Sequence, residues 1–182
     1  MDAILVRQGS PTLQGLKTGS LFVCQPVYQQ DMTALFRRWN GLLRDKGLRV
    51  IPLKCGKRGV LCYLYRPAQL KNELTNPAVF GLLQETGYDR PASALTRLRR
   101  RVNESPEFPH EIGLFLGYPP EDVRGFITHR AKEFCYAGCW KVYGDPKKAK
   151  RRFSRFKECT ARCCRDFANG KALEELAVKS EE

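Results

Sequence analysis

The sequence predicts an α+β fold, in which a small antiparallel sheet packs against a mainly helical C-terminal two-thirds. Apolar runs with strand character lie in the first 66 residues, and from Pro67 onward apolar residues recur at helical spacing. The 182 residues, 42% of them hydrophobic, can bury a core of their own. Without repeats or a clear linker, a single domain over 1–182 is expected, with a sheet-containing part (1–66), a helical part (67–170) and a weakly ordered tail (171–182).

The predicted sheet begins with the order β-α-β-β. A short apolar run predicts a first strand over 19–26, and three- and four-residue steps between apolar residues predict a helix over 32–43. Two further strands, 48–55 and 60–65, flank a turn with two glycines, as in a hairpin. Pro52 lacks an N–H group, which predicts a sheet edge or a bulge at this position.

The remaining segments predict helices whose starts are marked by proline and capping residues. Pro67 and Pro77 suit first helical turns, and Asn76 suits an N-cap. Helices are expected over 78–85 and 93–102, and two short helices should flank 116–119. A long basic helix is expected after Asp145 and Pro146.

Charge and cysteine content limit the compartment and the partners. The net charge of +13 favours phosphate-rich partners or serves solubility. No stretch approaches the roughly 20 apolar residues of a membrane helix, and the start lacks the features of a signal peptide. A cytoplasmic protein without membrane partners is therefore expected, with its eight cysteines reduced.

Four of the cysteines form two pairs with the same spacing and are the candidate metal ligands. Cys135 and Cys139 make one C-x3-C pair, and Cys159 and Cys163 make another. Four thiolates suit zinc or an iron–sulfur cluster, so iron or zinc is the expected cofactor. Alternatively, these cysteines are small buried hydrophobes, because Cys163 lies on an apolar helical stripe.

A thiol-dependent active site is a further hypothesis. His110 can act as a base beside Glu111, with a thiol such as Cys24 as the nucleophile. Glu111 is equally well explained as a carboxylate that favours the positive end of a helix. The sequence favours a non-enzymatic protein over this hypothesis.

The basic helix between Pro146 and Arg165 is the candidate polyanion-binding element, with Lys148, Arg151, Arg152 and Arg155 as its expected contacts. Such a run can follow a phosphate backbone. It can also be a solvated helix face, and no known nucleic-acid motif accompanies it.

A cofactor-binding set is predicted around the segment 139–145. Trp140 and Tyr143 can stack on a flat cofactor while Lys141 holds a phosphate, and Tyr118 and Lys17 are expected to complete the set. The alternative is a packed turn in which Asp145 caps the basic helix, and this alternative is favoured.

Several segments together resemble a family of uncharacterised bacterial, clostridia-type proteins defined as a domain of unknown function. They are 10–13, 19–22, 38–40, 46–49, the segment FPHEIGLFLGYP at 108–119 and the segment GCWKVYGD at 138–145. The resemblance implies iron or redox physiology, because such proteins are often encoded near flavodoxins and ferrous-iron transport components. Gly9 stands where relatives often carry a cysteine, so thiol chemistry is not expected there.

Three function classes follow. The first is an accessory protein of iron or redox metabolism that binds a metal, a cofactor or an acidic redox partner such as a flavodoxin. The second is a nucleic-acid-binding protein that uses the helix at 147–165, and the third is a thiol-dependent enzyme.

Overall fold

The computed structural model describes residues 1–25 and 31–179. In these two ranges the chain forms eight α-helices, five strands and short 3-10 turns. The elements in chain order are α1 (Asp2–Leu13), β1 (Gly19–Cys24), α2 (Met32–Leu43), β2 (Arg49–Gly56), β3 (Gly59–Tyr65), α3 (Pro67–Thr75), α4 (Pro77–Glu85), α5 (Ala94–Glu104), α6 (Ile112–Phe115), α7 (Pro120–Thr128), β4 (Tyr136–Ala137), β5 (Lys141–Val142) and α8 (Pro146–Ala168). The α+β class is confirmed.

The chain divides into two compact units. The sheet unit consists of Met1–Ala68 and Glu158–Glu182, and the helical unit consists of Gln69–Lys157. Helix α8 therefore contributes its first half to the helical unit and its second half to the sheet unit. Two compact units can belong to one domain that folds cooperatively, or they can be two separate domains. The single domain therefore stays a prediction.

The sheet unit contains a three-stranded antiparallel sheet in the order β1-β3-β2. Its strands match the predicted ones within a few residues, although residues 26–30 lie outside the described ranges. Strand β2 is at the edge, and its register with β3 shifts between Pro52 and Lys54. Both properties that Pro52 predicted are therefore present.

Helix α1 precedes the predicted β-α-β-β order and was missed. Its second half contains Gly9, Ser10 and Pro11, which all disfavour a helix interior. Burial overrides this local preference, because Leu5 and Leu13 are fully buried in the core of the sheet unit. The helices of that core therefore include α1 and α2 from the N-terminal third, besides the end of α8.

A buried arginine joins the end of α1 to the C-terminal segment. Arg66 donates from Nε to the Thr12 carbonyl (2.8 Å) and from Nη2 to the carbonyls of Leu13 (2.7 Å) and Val178 (2.8 Å). Leu173 and Leu176 are buried in the same core, so this part of the predicted weakly ordered tail is packed.

The helical unit contains most of α3, helices α4 to α7, the β4–β5 hairpin and the first half of α8. The expected caps are present: Asn76 accepts from Ala78 N (2.9 Å), and Asp145 accepts from Lys147 N (2.8 Å). These two caps and the prolines beside them set the starts of α4 and α8. Among the described residues, no helix has the length and apolar character required to cross a membrane.

Candidate nucleic-acid interface

The segments 108–119 and 138–145, which carried the family resemblance, meet in an aromatic cluster. We define this cluster as Tyr118, Phe126, Trp140 and Phe153. The Trp140 ring lies 4.8 Å from Tyr118, stacked, and 5.0 Å from Phe126, tilted, between ring centroids. The Tyr118 hydroxyl also donates to the Cys139 carbonyl at 3.2 Å. The two segments therefore form one packed structure.

Two glycines make this close packing possible. A Cβ atom on Gly113 would lie 2.8 Å from Cζ2 of Trp140, and a Cβ atom on Gly125 would overlap the Tyr143 ring. Both positions lie in helices, where glycine is otherwise unfavourable. Because these two glycines have no side chain, the rings of Trp140 and Tyr143 lie directly on α6 and α7.

A buried carboxylate holds the turn that leads into α8. Asp122 accepts from the backbone N–H groups of Tyr143 (2.8 Å) and Gly144 (2.9 Å). Asp145 then caps α8, and the N–H groups of Lys148 and Lys147 lower the pKa of its carboxyl group. These contacts are those of the favoured alternative, a packed turn.

The predicted cofactor residues already have partners within the protein. The Lys141 ammonium donates to the Ala131 carbonyl and lies 4.6 Å from the centroid of the Phe134 ring. Burial raises the pKa of Tyr118, whose hydroxyl donates to the Cys139 carbonyl. Tyr143 stacks on His129 at 5.6 Å, and Lys17 belongs to the sheet unit. Binding of a flat cofactor stays a prediction.

The first half of α8 carries a row of exposed cations, which we call the basic stripe. At 100° per residue, its members fall within an arc of about 140° on the helix surface. They are Lys147, Lys148, Arg151, Arg152 and Arg155, all exposed. None of them forms an ion pair within 4.0 Å in the part of the chain that the structure describes. The stripe thus offers unpaired positive charge to a partner.

A small cleft borders the basic stripe. Its volume is about 70 Å³. Lys148 and Arg152 line it together with Tyr118 and Phe153 of the aromatic cluster, and Glu121, Asp122 and Asp145 contribute carboxylates. The cleft is too small to hold a nucleotide. It lies where side chains of the basic stripe meet side chains of the aromatic cluster.

The two C-x3-C pairs, which are the candidate metal ligands, belong to different units. Cys135 and Cys139 are exposed in the helical unit, whereas Cys159 and Cys163 are buried in the core of the sheet unit. Across residues 1–25 and 31–179, no three His, Cys, Asp or Glu side chains are grouped so that they could hold a metal ion. All eight cysteines are free thiols. The four-thiolate site and its iron or zinc stay predictions.

The buried thiols of the sheet unit interact in pairs. The Cys159 thiol donates to the Cys163 sulfur, which lowers the pKa of Cys163 and raises that of Cys159. On the sheet, burial raises the pKa of Cys62 to about 12 and also raises that of Cys24. Cys24 is therefore a neutral thiol at physiological pH, which weakens its candidacy as a nucleophile.

Glu111 is part of a buried polar group that the sequence did not indicate. It is 3% exposed and lies 2.8 Å from Nε of Arg101, and it accepts from the Tyr88 hydroxyl at 3.0 Å. Burial and the neighbouring Glu111 charge raise the pKa of Tyr88. His110 is exposed and lies 4.9 Å from the Phe126 ring. A catalytic role of His110 and Glu111 stays a prediction, and these contacts give Glu111 a structural role.

Sequence reasoning also missed Phe126 and Phe134. Phe126 is half-buried in the aromatic cluster, and Phe134 is 39% exposed beside Lys141. Phe134 and Tyr136 flank Cys135 directly after a polar stretch, and two aromatic residues this close together were the available signal.

Fold and site together define a small α+β protein with a basic helix beside a packed aromatic cluster. The model of one family, described as "Protein of unknown function (DUF3793)", matches residues 5–177, and the chain belongs to this family. No curated protein and no solved structure matches the chain.

Proposed function

We propose that this protein binds nucleic acid through the basic stripe. The observation that carries the proposal is the row of five exposed cations on α8 without an ion-pair partner among the described residues. Between Pro146 and Lys157 the sequence has seven lysines and arginines and no acidic residue. Such charges repel each other on one helix, so an anionic partner relieves a cost that the free protein carries.

The helix that carries the stripe is held in place by its caps and its buried side. Asp145 caps the first turn of α8, Asp122 holds the turn before it, and Phe153 and Phe156 are buried on the opposite side of the helix. A rigid row of cations binds phosphates with a smaller entropy loss than a disordered basic segment. We place this function in the bacterial cytoplasm, where eight free thiols persist.

The test is binding of fluorescein-labelled oligonucleotides, followed by anisotropy at several salt concentrations. The double variant Arg151→Glu/Arg155→Glu is expected to bind at least about tenfold more weakly than the unchanged protein. It should also lower the salt slope by about one per lost phosphate contact.

The matched control is Lys57→Glu/Arg58→Glu. These residues are exposed in the β2–β3 turn of the sheet unit, and their reversal changes the net charge by the same amount. Equal weakening by both double variants would indicate binding by net charge alone and would contradict the proposal. Binding to an acidic protein such as a flavodoxin, without binding to any oligonucleotide, would instead favour an accessory role in redox metabolism.

A further inference from the structure

We infer that the nucleic acid bound by this protein is single-stranded, and that Phe134 and Tyr136 stack on its bases. The inference rests on the proposed function and adds the class of ligand. Its basis is one exposed and one half-buried aromatic ring of the helical unit, each of which lies beside a lysine ammonium group.

The two aromatic–lysine pairs follow each other along the chain. Nζ of Lys141 lies 4.6 Å from the centroid of Phe134, and Nζ of Lys150 lies 5.1 Å from the centroid of Tyr136. Phe134 is 39% exposed, and Tyr136 is half-buried. Each pair thus combines a flat apolar ring face, on which a base can stack, with a positive charge, which can contact a phosphate.

Tyr136 connects these pairs to α8. Its ring stacks on Phe153 of the aromatic cluster, 6.2 Å between centroids. Lys150 belongs to the same helix as the basic stripe. At 100° per residue Lys150 lies about 60° from Lys147, which is at the edge of the basic stripe. A strand that contacts this edge of the stripe can therefore present bases to the Tyr136 ring.

The backbone before Phe134 adds an independent observation. Arg130 (φ 48°), Ala131 (φ 61°) and Glu133 (φ 59°) all adopt the left-handed conformation, which residues other than glycine rarely adopt. The Ala131 carbonyl accepts the hydrogen bond from Lys141, so this unfavourable segment is tied to the lysine beside Phe134. Unfavourable backbone conformations concentrate at binding sites, where the surrounding structure maintains them.

The chemistry favours single strands over duplexes. In a duplex the base faces are stacked on each other and offer nothing to an exposed ring, whereas in a single strand they are accessible. The Lys141 ammonium keeps its hydrogen bond to the Ala131 carbonyl, so a base stacks on the exposed part of the Phe134 ring with the positive charge beside it.

The experiment compares Phe134→Leu with the unchanged protein. An oligothymidylate of about 12 nucleotides, within the range that single-strand binders cover, and a duplex of equal length serve as probes. The unchanged protein should prefer the single strand. Phe134→Leu should bind it about tenfold more weakly, the loss expected for one stacked base, with an unchanged salt slope.

Two further variants keep the test specific. Phe134→Trp preserves an aromatic face and should restore single-strand binding. Phe108→Leu is the matched control, because Phe108 is 45% exposed and lies outside the two aromatic–lysine pairs. It should bind as the unchanged protein does, and equal circular dichroism of all three variants establishes that they are folded.

The outcomes separate this inference from the proposed function. Steep salt dependence with equal affinity for the duplex and the single strand, or with no effect of Phe134→Leu, overturns the inference and leaves the basic stripe as the binding surface. Absence of binding to either probe at low salt overturns both.

Discussion

One buried arginine of the sheet unit and the arginines of the basic stripe in the helical unit have opposite environments. In the sheet unit Arg66 is 3% exposed and donates hydrogen bonds to the backbone carbonyls of Thr12, Leu13, Lys46 and Val178. In the helical unit Arg151, Arg152 and Arg155 are exposed, without ion pairs among the described residues. A buried, satisfied cation stabilises the fold, whereas a row of unpaired cations lowers stability and remains available to a partner.

Helix α8 contains the same contrast within one element. Its first half buries aromatic rings and exposes cations without any acid. Its second half buries Cys159 and Cys163, and its charges are mixed, with Glu158 and Asp166 besides Arg162 and Arg165. One helix can therefore complete a core in the sheet unit and present a charged surface in the helical unit.

The largest effect is expected for Arg66→Met. The substitution leaves the carbonyls of Thr12, Leu13 and Val178 without the guanidinium group that they now share. The Thr12 and Leu13 carbonyls each keep a backbone donor, from Gly15 and Val178, but the charged hydrogen bonds of a buried guanidinium group are lost. The free energy of unfolding should fall by about 3 kcal/mol. Urea denaturation followed by circular dichroism measures it.

Arg151→Met is the control for this measurement. Arg151 is exposed, so its replacement should change stability by less than about 0.5 kcal/mol while it weakens oligonucleotide binding. Equal stability losses for the two variants would contradict the division between a stabilising and a binding arginine.

A second comparison concerns what stabilises the helical unit. Gly125→Ala places a methyl group against the Tyr143 ring and should lower the free energy of unfolding by about 2 kcal/mol. Gly81→Ala, in α4, has no atom within 4 Å of the new Cβ and should raise it by about 0.5–1 kcal/mol. Thermal unfolding of the two variants gives both signs. A loss for Gly81→Ala as large as that for Gly125→Ala would contradict the packing argument.

Local signals predicted most of the fold. Proline and capping residues located the starts of α4 and α8, and Pro52 indicated the bulge on an edge strand. Helix α1 escaped prediction because Gly9, Ser10 and Pro11 argue locally against a helix. Its burial depends on residues distant in sequence, and single-sequence reasoning does not contain those contacts.

The contacts of the candidate site also divide into those that local sequence signals predict and those that depend on distant residues. The exposure of Arg151 and Arg155 was predictable, because a basic helix face can be identified from spacing alone. The partners of Glu111, which are Tyr88 and Arg101, were not predictable, since they come from two other segments of the helical unit. The segment around Trp140 and Tyr143 also suggested that Lys141 contacts a phosphate, which stays a prediction. The Ala131 carbonyl, to which the Lys141 ammonium donates, is a partner that no sequence pattern indicates.

The smallest effect concerns Arg38, a surface arginine of the sheet unit that, unlike the basic stripe, is paired. Asp2 accepts from Nη2 of Arg38 (2.6 Å) and from Nε1 of Trp39 (2.9 Å), and these contacts lower its pKa below the usual 3.8. The stabilisation of the fold by the charged Asp2 carboxylate is therefore complete above about pH 4, and it disappears as the pH falls through the lowered pKa of Asp2. Asp2→Asn should reduce the free energy of unfolding by about 1 kcal/mol at pH 7, with a difference that shrinks in acid. Urea denaturation at pH 7 and pH 3, with Asp45→Asn as an exposed control, measures this change; a difference independent of pH would mean that the charge of Asp2 contributes nothing.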